Sequence, residues 1–276
     1  MPLRFPMLLR ALALMAALAC LAPAPALLSR QAAASPVETE IVGGKKVHPG
    51  GDPFMVAIQF DTGTGISQCS GTLLDASHVL TAAHCVTDGS KLFTSHTVFY
   101  GSVRFTSTRS VGASVVTPHP GFDTMRLRYD VAVLKLDAPV TGPGIGFVKL
   151  PAVGNSNASK TGATAIVSGW GAISESGGPV NDLRETSLKI FSFNTCKRTW
   201  GMAGLTLTSA HLCAWANNKD TCFGDSGGPL FARTANGVVQ LGVTSFGYGC
   251  ATQIPGVYTR LSNPSVGNFV RRMMQQ

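Results

Sequence analysis

Asp220-Thr221-Cys222-Phe223-Gly224-Asp225-Ser226-Gly227-Gly228-Pro229-Leu230 is the stretch on which the reading of this chain turns. Gly224 and Gly227 let the backbone bend around Ser226 without a Cβ in the way. The same bend can aim the N–H groups of Gly224 and Ser226 at one point, where a carbonyl oxygen would become negative during acyl transfer. Loss of one such donor costs about 3 kcal/mol of transition-state stabilisation. A serine hydroxyl is a weak nucleophile until a base takes its proton, and an imidazole base needs an acceptor to fix its tautomer. Thr81-Ala82-Ala83-His84-Cys85 supplies the imidazole, and Tyr129-Asp130-Val131-Ala132-Val133-Leu134 supplies a carboxylate ahead of an apolar run. Each residue alone has a plainer reading: a turn serine, a core histidine, a strand-terminating aspartate. Together they fit nucleophile, base and orienting acid, provided they meet in space.

Outward from that stretch, the chain divides in three. Arg4 and Arg10 precede an apolar run from Ala11 to Leu28, broken by Pro23 and Pro25, with Ala24-Pro25-Ala26 where a signal peptidase could cut. A secretory signal over residues 1–26 is expected, since the run is too short and too proline-broken for a membrane span. Residues 27–40, rich in alanine and small polar residues, read as a pro-segment, and 41–276 as one catalytic domain. The expected location is extracellular, without stable membrane association. From residue 41 onward there are 19 Lys plus Arg against 12 Asp plus Glu. These charges are scattered and no nucleic-acid motif accompanies them, so nucleic acid is not an expected partner. The six cysteines beyond the signal are Cys69, Cys85, Cys196, Cys213, Cys222 and Cys250. Their even number in an exported chain favours disulfides, with fifteen pairings open to counting alone.

The body reads as short apolar or alternating runs between Gly, Pro, Asn, Asp and Ser: 54–60, 69–74, 79–83, 97–103, 131–136, 163–168, 185–191, 237–246 and 256–261. These are strand marks of a sandwich or barrel. The one helical pattern is terminal, where Asn263 caps Pro264 and Val266, Phe269, Val270, Met273 and Met274 share a side. The glycine-rich 141–146 and 174–178 read as loops, the former crossing between two β halves. Asn157-Ala158-Ser159 has the form of an N-glycosylation acceptor, used only on a eukaryotic secretory route.

The chain resembles the trypsin-like branch of the chymotrypsin-type serine proteases, whose triad is a standard worked case. Six pieces carry the resemblance, in the family's order: Ile41-Val42-Gly43-Gly44, Leu80-Thr81-Ala82-Ala83-His84-Cys85, Asp130-Val131-Ala132-Val133-Leu134, Ser168-Gly169-Trp170-Gly171, Gly224-Asp225-Ser226-Gly227-Gly228-Pro229 and Pro255-Gly256-Val257-Tyr258. It implies an all-β fold of two six-stranded antiparallel β-barrels with a C-terminal helix, His84 and Asp130 coming from the first barrel and Ser226 from the second. It implies the pairings Cys69 with Cys85, Cys196 with Cys213, and Cys222 with Cys250. It places Asp220 at the floor of the primary specificity pocket, with Gly247 and Gly256 leaving the walls open. The expected substrates are therefore polypeptides with accessible Arg or Lys. By the same resemblance Ser245 supports Asp130, and Ser245-Phe246-Gly247 forms an edge for the substrate backbone. Phe246 stands where the family usually has tryptophan, and Phe223 occupies a rim position commonly filled by a longer polar residue.

Cleavage between Glu40 and Ile41 would create an ammonium that, by resemblance, inserts beside Asp225 and orders the pocket. An Arg- or Lys-selecting enzyme should not cut after Glu40, so a separate activating protease is an expected partner. Protein inhibitors of proteases are further expected partners, and a monomer is the expected state. No cofactor or metal is expected: residues 89–122 contain no Asp or Glu, so the loop that binds calcium in many animal trypsins lacks its charge here. Two other functions compete. A noncatalytic binding protein on this fold would most simply have lost one of His84, Asp130 or Ser226. A secreted esterase would not need Asp220 and would show an α/β pattern around its nucleophile.

Overall fold

Successive side chains of a strand point to opposite faces, so a chain of short, mostly apolar runs buries itself by rolling sheets around a core. In this computed structural model residues 41–154 and 159–276 are described. The expected signal, the pro-segment and Asn157 lie outside them.

The first half comprises β1 (Lys45–Lys46), β2 (Met55–Asp61), β3 (Ile66–Leu73), β4 (His78–Thr81), β5 (Thr94–Tyr100), β6 (Arg109–Gly112), β7 (Val115–Pro118) and β8 (Ala132–Lys135). The second comprises β9 (Thr164–Gly169), β10 (Arg184–Ile190), α1 (Phe193–Met202), β11 (His211–Trp215), β12 (Pro229–Thr234), β13 (Gly237–Phe246), β14 (Gly256–Arg260) and α2 (Pro264–Met273). One antiparallel sheet runs β6-β5-β2-β3-β4-β8-β7. The other runs β1-β10-β11-β14-β13-β12-β9 and closes through β9–β10 pairing.

Each sheet thus holds seven strands where six are expected, for two local reasons. In the first, β6 and β7 are one course of chain broken at Ala113 and Ser114, where Asp137 accepts hydrogen bonds from the Ser114 N–H and hydroxyl. In the second, six strands close the barrel and β1 is a two-residue strap laid on β10, with Lys45 opposite Glu185. The strap carries the N-terminal end of the described chain over to the second barrel.

A second difference is α1, which the sequence reading leaves as non-helical. Its apolar signal is short, Phe193, Cys196 and Trp200 along one face, of which it buries Cys196 and Trp200. What holds it is tertiary: the Cys196–Cys213 disulfide and a hydrogen bond from Trp200 Nε1 to the Pro255 carbonyl at 3.0 Å. The terminal helix α2 follows its sequence signal, with Asn263 Oδ1 accepting from Ser265 and Val266 N–H and with Val266, Phe269 and Val270 buried.

The barrels share a core. One apolar cluster runs from Val56, Ile58, Leu80 and Leu134 of the first to Trp170, Phe231 and Val243 of the second, and on to Phe269 of α2. At its centre Phe54 meets Phe231 edge-on, ring centroids 5.2 Å apart. Burial of each ring is worth about 1.5–3 kcal/mol, so apolar contact holds the junction between the barrels. No helix among the described residues is long and apolar enough to cross a membrane.

Candidate active site

Register builds the first part of the site. β4 and β8 pair antiparallel with Thr81 opposite Ala132, so the residues just past β4 lie beside those just before β8. His84 sits there on a short 3-10 turn, Ala83–Cys85, and the Cys69–Cys85 disulfide ties that turn to β3. His84 Nδ1 lies 2.7 Å from Asp130 Oδ2, and the His84 N–H donates to Asp130 Oδ1 at 2.9 Å. Ser245 Oγ donates to Asp130 Oδ2 at 2.5 Å, and Thr259 Oγ1 donates to the Asp130 carbonyl at 2.7 Å. Asp130 is completely buried. Burial alone would raise its pKa, but the His84 charge and the bonds from His84 and Ser245 outweigh it and hold the carboxyl below the usual range. For His84 burial opposes the charged form, and the Asp130 charge and hydrogen bond overcome it, setting the imidazole above its ordinary value. This is the arrangement an imidazole needs to accept a proton and keep its tautomer.

The second barrel supplies the serine loop, positioned against the first. The Ser70 N–H on β3 donates to the Ser226 carbonyl at 2.8 Å, and Ser70 Oγ donates to the Gly224 carbonyl at 3.0 Å. Gly227, at φ +80°, packs so tightly that a Cβ there would lie 2.1 Å from Thr81 Oγ1 and 3.1 Å from the Ala82 nitrogen. The loop is thereby pressed onto the segment that ends in His84. No hydrogen bond joins the Ser226 hydroxyl to His84 in this structure; such contacts often tighten only when substrate is bound.

Within that loop the N–H groups sort into two sets. Those of Cys222, Asp225, Gly227 and Gly228 each donate to a protein oxygen: to Asp225 Oδ2, and to the carbonyls of Cys222, Thr244 and Asp225. Those of Phe223, Gly224 and Ser226 have no acceptor among the described residues. The last two of these unspent donors are the pair expected at the oxyanion position.

Beside Ser226 opens a cleft of about 220 Å³, lined by Thr221, Cys222, Phe223, Ser245, Phe246, Gly247 and Cys250 among others. The Cys222–Cys250 disulfide closes one wall. Asp220, next in the chain to Thr221 of that lining, is 6% exposed and accepts from the Thr221 N–H at 2.9 Å and the Ala251 N–H at 3.1 Å. A Cβ on Gly256 would stand 3.3 Å from Asp220 Oδ1 and 3.4 Å from the Tyr258 hydroxyl, so a side chain there would fill the space in front of the carboxylate. Gly247 leaves the cleft open. Desolvation pushes Asp220 up to about 6. Asp225 is buried behind the serine loop, accepting from Gly171 and Cys222 N–H groups, and desolvation pushes it up to about 7. Neither carboxylate has a cationic partner among the described residues. Phe246 turns edge-on to Trp200 at 5.0 Å, and Phe223 stands 64% exposed at the rim.

Three contributors carry no usable signal in the sequence reading. Ser70 and Thr259 are hydroxyls on ordinary strands that reach the site only through pairing. Tyr258 closes the Pro255-Gly256-Val257-Tyr258 motif, but its place next to Asp220 depends on the fold. As for metals, the one cluster of ligand-type side chains among the described residues is Cys69, His84 and Cys85, and its two sulfurs are consumed in the disulfide.

Comparison with known proteins agrees with this geometry. The family described as Trypsin matches residues 41–266. The chain is 35% identical over 243 residues to serine proteinase stubble of Drosophila melanogaster, covering 82% of this chain and 30% of that protein. It is 37% identical over 230 residues to human serine protease 56, covering 80% and 37%. With trypsin Blo t 3 of Blomia tropicalis it shares 33% over 234 residues, 82% of this chain and 84% of that one. The chain therefore spans about a third of the length of the first two relatives and most of the third.

Proposed function

This chain belongs to the trypsin family and carries a serine endopeptidase domain, and we propose that it is secreted and cleaves polypeptides after Arg or Lys once cut before Ile41. His84 is the base and acid, Asp130 its orienting partner, Ser226 the nucleophile, and the Gly224 and Ser226 N–H groups the oxyanion donors. Ser226 attacks the substrate carbonyl as its proton passes to His84. The leaving amine then takes that proton, and water repeats the sequence on the acyl-enzyme.

The observation that carries the specificity is Asp220, a buried carboxylate next in the chain to Thr221 of the cleft, held by the Thr221 and Ala251 N–H groups and the Thr221 side chain and by no cation among the described residues. An isolated buried carboxylate is costly, and a guanidinium or ammonium entering between Gly247 and Gly256 relieves that cost. Asp225 supports the activation reading in the same way. Its carboxylate is buried without a cation, while Ile41 is fully buried in the second barrel's apolar cluster with Ala165, Val167 and Leu188. Ile41 also sits at φ +32°, a genuine outlier for a β-branched residue. Cleavage before it releases that dihedral and supplies an ammonium. Because Glu40 precedes the bond, a separate protease makes the cut.

The test is hydrolysis of matched peptides bearing Arg, Lys, Phe or Ala before the cut, by protein processed before Ile41, beside a Ser226→Ala variant. Arg and Lys cleavage falling on the order of a millionfold in the variant is expected. Preference for Phe or Ala would overturn the specificity, and no hydrolysis by the folded, processed chain would return the reading to a binding protein.

A further inference from the structure

A set of charges away from the catalytic groups grips the strap that leads from Ile41. Asp52 lies between β1 and β2 with its side chain 1% exposed, at φ +45°. Both of its side-chain partners belong to the second barrel: Arg233 Nη2 on β12 donates to Oδ1 at 2.6 Å, and Ser168 Oγ on β9 donates to Oδ2 at 2.9 Å. The same Arg233 nitrogen reaches Glu185 Oε2 on β10 at 2.7 Å, and Glu185 Oε1 meets Lys45 of the strap at 3.4 Å. One guanidinium therefore holds the strap and the chain that follows it at two points, at Asp52 directly and at Lys45 through Glu185. Its plane lies over the Phe231 ring, 5.1 Å to the centroid, where Phe231 packs on Phe54. On its far side the set touches the activation site. Ser168 precedes Gly169, where a Cβ would lie 2.0 Å from Asp225 Oδ1, and Gly171 N–H donates to that oxygen at 2.8 Å.

We propose that Arg233 is a positioning residue. By clasping Asp52 and the Glu185–Lys45 pair it fixes the strap on the second barrel, and so sets how well the freed Ile41 ammonium reaches Asp225. The inference rests on the activation reading above. A buried carboxylate left without its cation must protonate or move, and a backbone shift at Asp52 is passed along the chain to the strap. Other charged groups stand near the clasp and Asp225: Arg184 is buried beside Glu185 with its carbonyl accepting from Ser168, Lys46 of the strap pairs with Asp182, Lys219 lines the cleft containing Arg233, Glu185 and Lys45, and Asp220 and Tyr258 face Asp225.

The readout is the alkaline side of the pH–activity profile. An unpaired α-amino group titrates near 7.7–8.0 and a paired one higher. Activity that needs the inserted ammonium therefore fails at an alkaline pH set by how strongly insertion is favoured, while the acid side reports His84. For cut protein, Arg233→Met is expected to bring the alkaline midpoint down by about one pH unit, the equivalent of tenfold weaker insertion, with the acid midpoint unmoved. Arg233→Lys should recover part of the shift. Glu185→Gln, at the exposed end of the clasp, should give a smaller shift in the same direction and keeps the test available if the methionine variant does not fold. An alkaline midpoint unmoved in both folded variants, with a clear alkaline fall in the parent, would overturn the clasp alone. Uncut parent as active as cut parent, with no alkaline fall, would overturn the activation reading and the clasp with it.

Discussion

Asp130 and the pair Asp220 and Asp225 are all carboxylates withdrawn from water, and the fold treats them oppositely. Around Asp130 it supplies everything: the His84 ring, the His84 N–H and the Ser245 hydroxyl, with the result that the carboxyl is held below its usual range. Around Asp220 and Asp225 it supplies N–H dipoles and, at Asp220, the Thr221 side chain, but no cation among the described residues, and desolvation carries the two up to about 6 and about 7. The difference separates what folding completes from what a ligand or a cut completes. The base and its orienting acid are ready in the folded chain. Asp220 and Asp225, the pocket floor and activation site of the proposed function, are each one cation short.

The largest test of that contrast is Asp220→Asn. Removal of one partner of a buried charge pair costs about 3–5 kcal/mol, so kcat/KM for Arg and Lys peptides should fall by roughly two to three and a half orders of magnitude. Phe and Ala peptides, which never used the charge, should change little. Equal losses on all four peptides would mean that Asp220 supports the loop rather than reading the substrate.

The pH dependence of stability should have opposite signs in the two regions. Asp130, depressed below its unfolded value, contributes stability present above about pH 4 and lost as pH falls through its folded pKa. Asp225, raised, holds its proton in the folded chain after the unfolded chain has released it. Uncut protein should therefore lose stability as pH rises from about 4 to about 7, by on the order of 4 kcal/mol. Cleavage before Ile41 should remove the Asp225 part of that slope, since the ammonium then favours the ionised carboxylate, and leave the shallower part that Asp220, raised to about 6, contributes in both forms. Denaturant unfolding of both forms across this window checks it, and identical slopes would refute it.

Ser245→Ala sharpens the comparison from the other side. It deletes one of several donors to Asp130, and a hydrogen bond to a charged group is worth about 1.5–3 kcal/mol. kcat should drop roughly tenfold while KM for an Arg peptide stays within about twofold, since the Asp220 side is untouched. A loss confined to KM would place Ser245 in substrate binding instead.

How much of this the sequence reveals follows from where each contact is encoded. Ser226 with its flanking glycines, His84 beside Cys85, and Asp130 ahead of an apolar strand carry their chemistry in neighbouring residues. So do the Asn263 cap of α2 and the alternating strands. The resemblance to trypsin-like proteases adds the disulfide pairs and the place of Asp220. The helix α1 is not legible, because one disulfide and one indole hydrogen bond replace the apolar stripe that would announce it. Nor is the clasp: Asp52 and Arg233 meet across 181 positions, and neither stands in a pattern that says so. The division of the loop N–H groups into spent and unspent donors likewise needs the coordinates.

The central claim is that Asp220 waits for a cation. Its most direct test is calorimetric binding of an Arg-containing peptide to cut protein carrying Ser226→Ala, between pH 5 and 8. Affinity should rise roughly tenfold per pH unit below about 6 and level off above it. Proton release on binding should accompany the rise, and an added Asp220→Asn change should abolish both. An affinity indifferent to pH and to Asp220→Asn, or equal for a Phe peptide, would contradict the account.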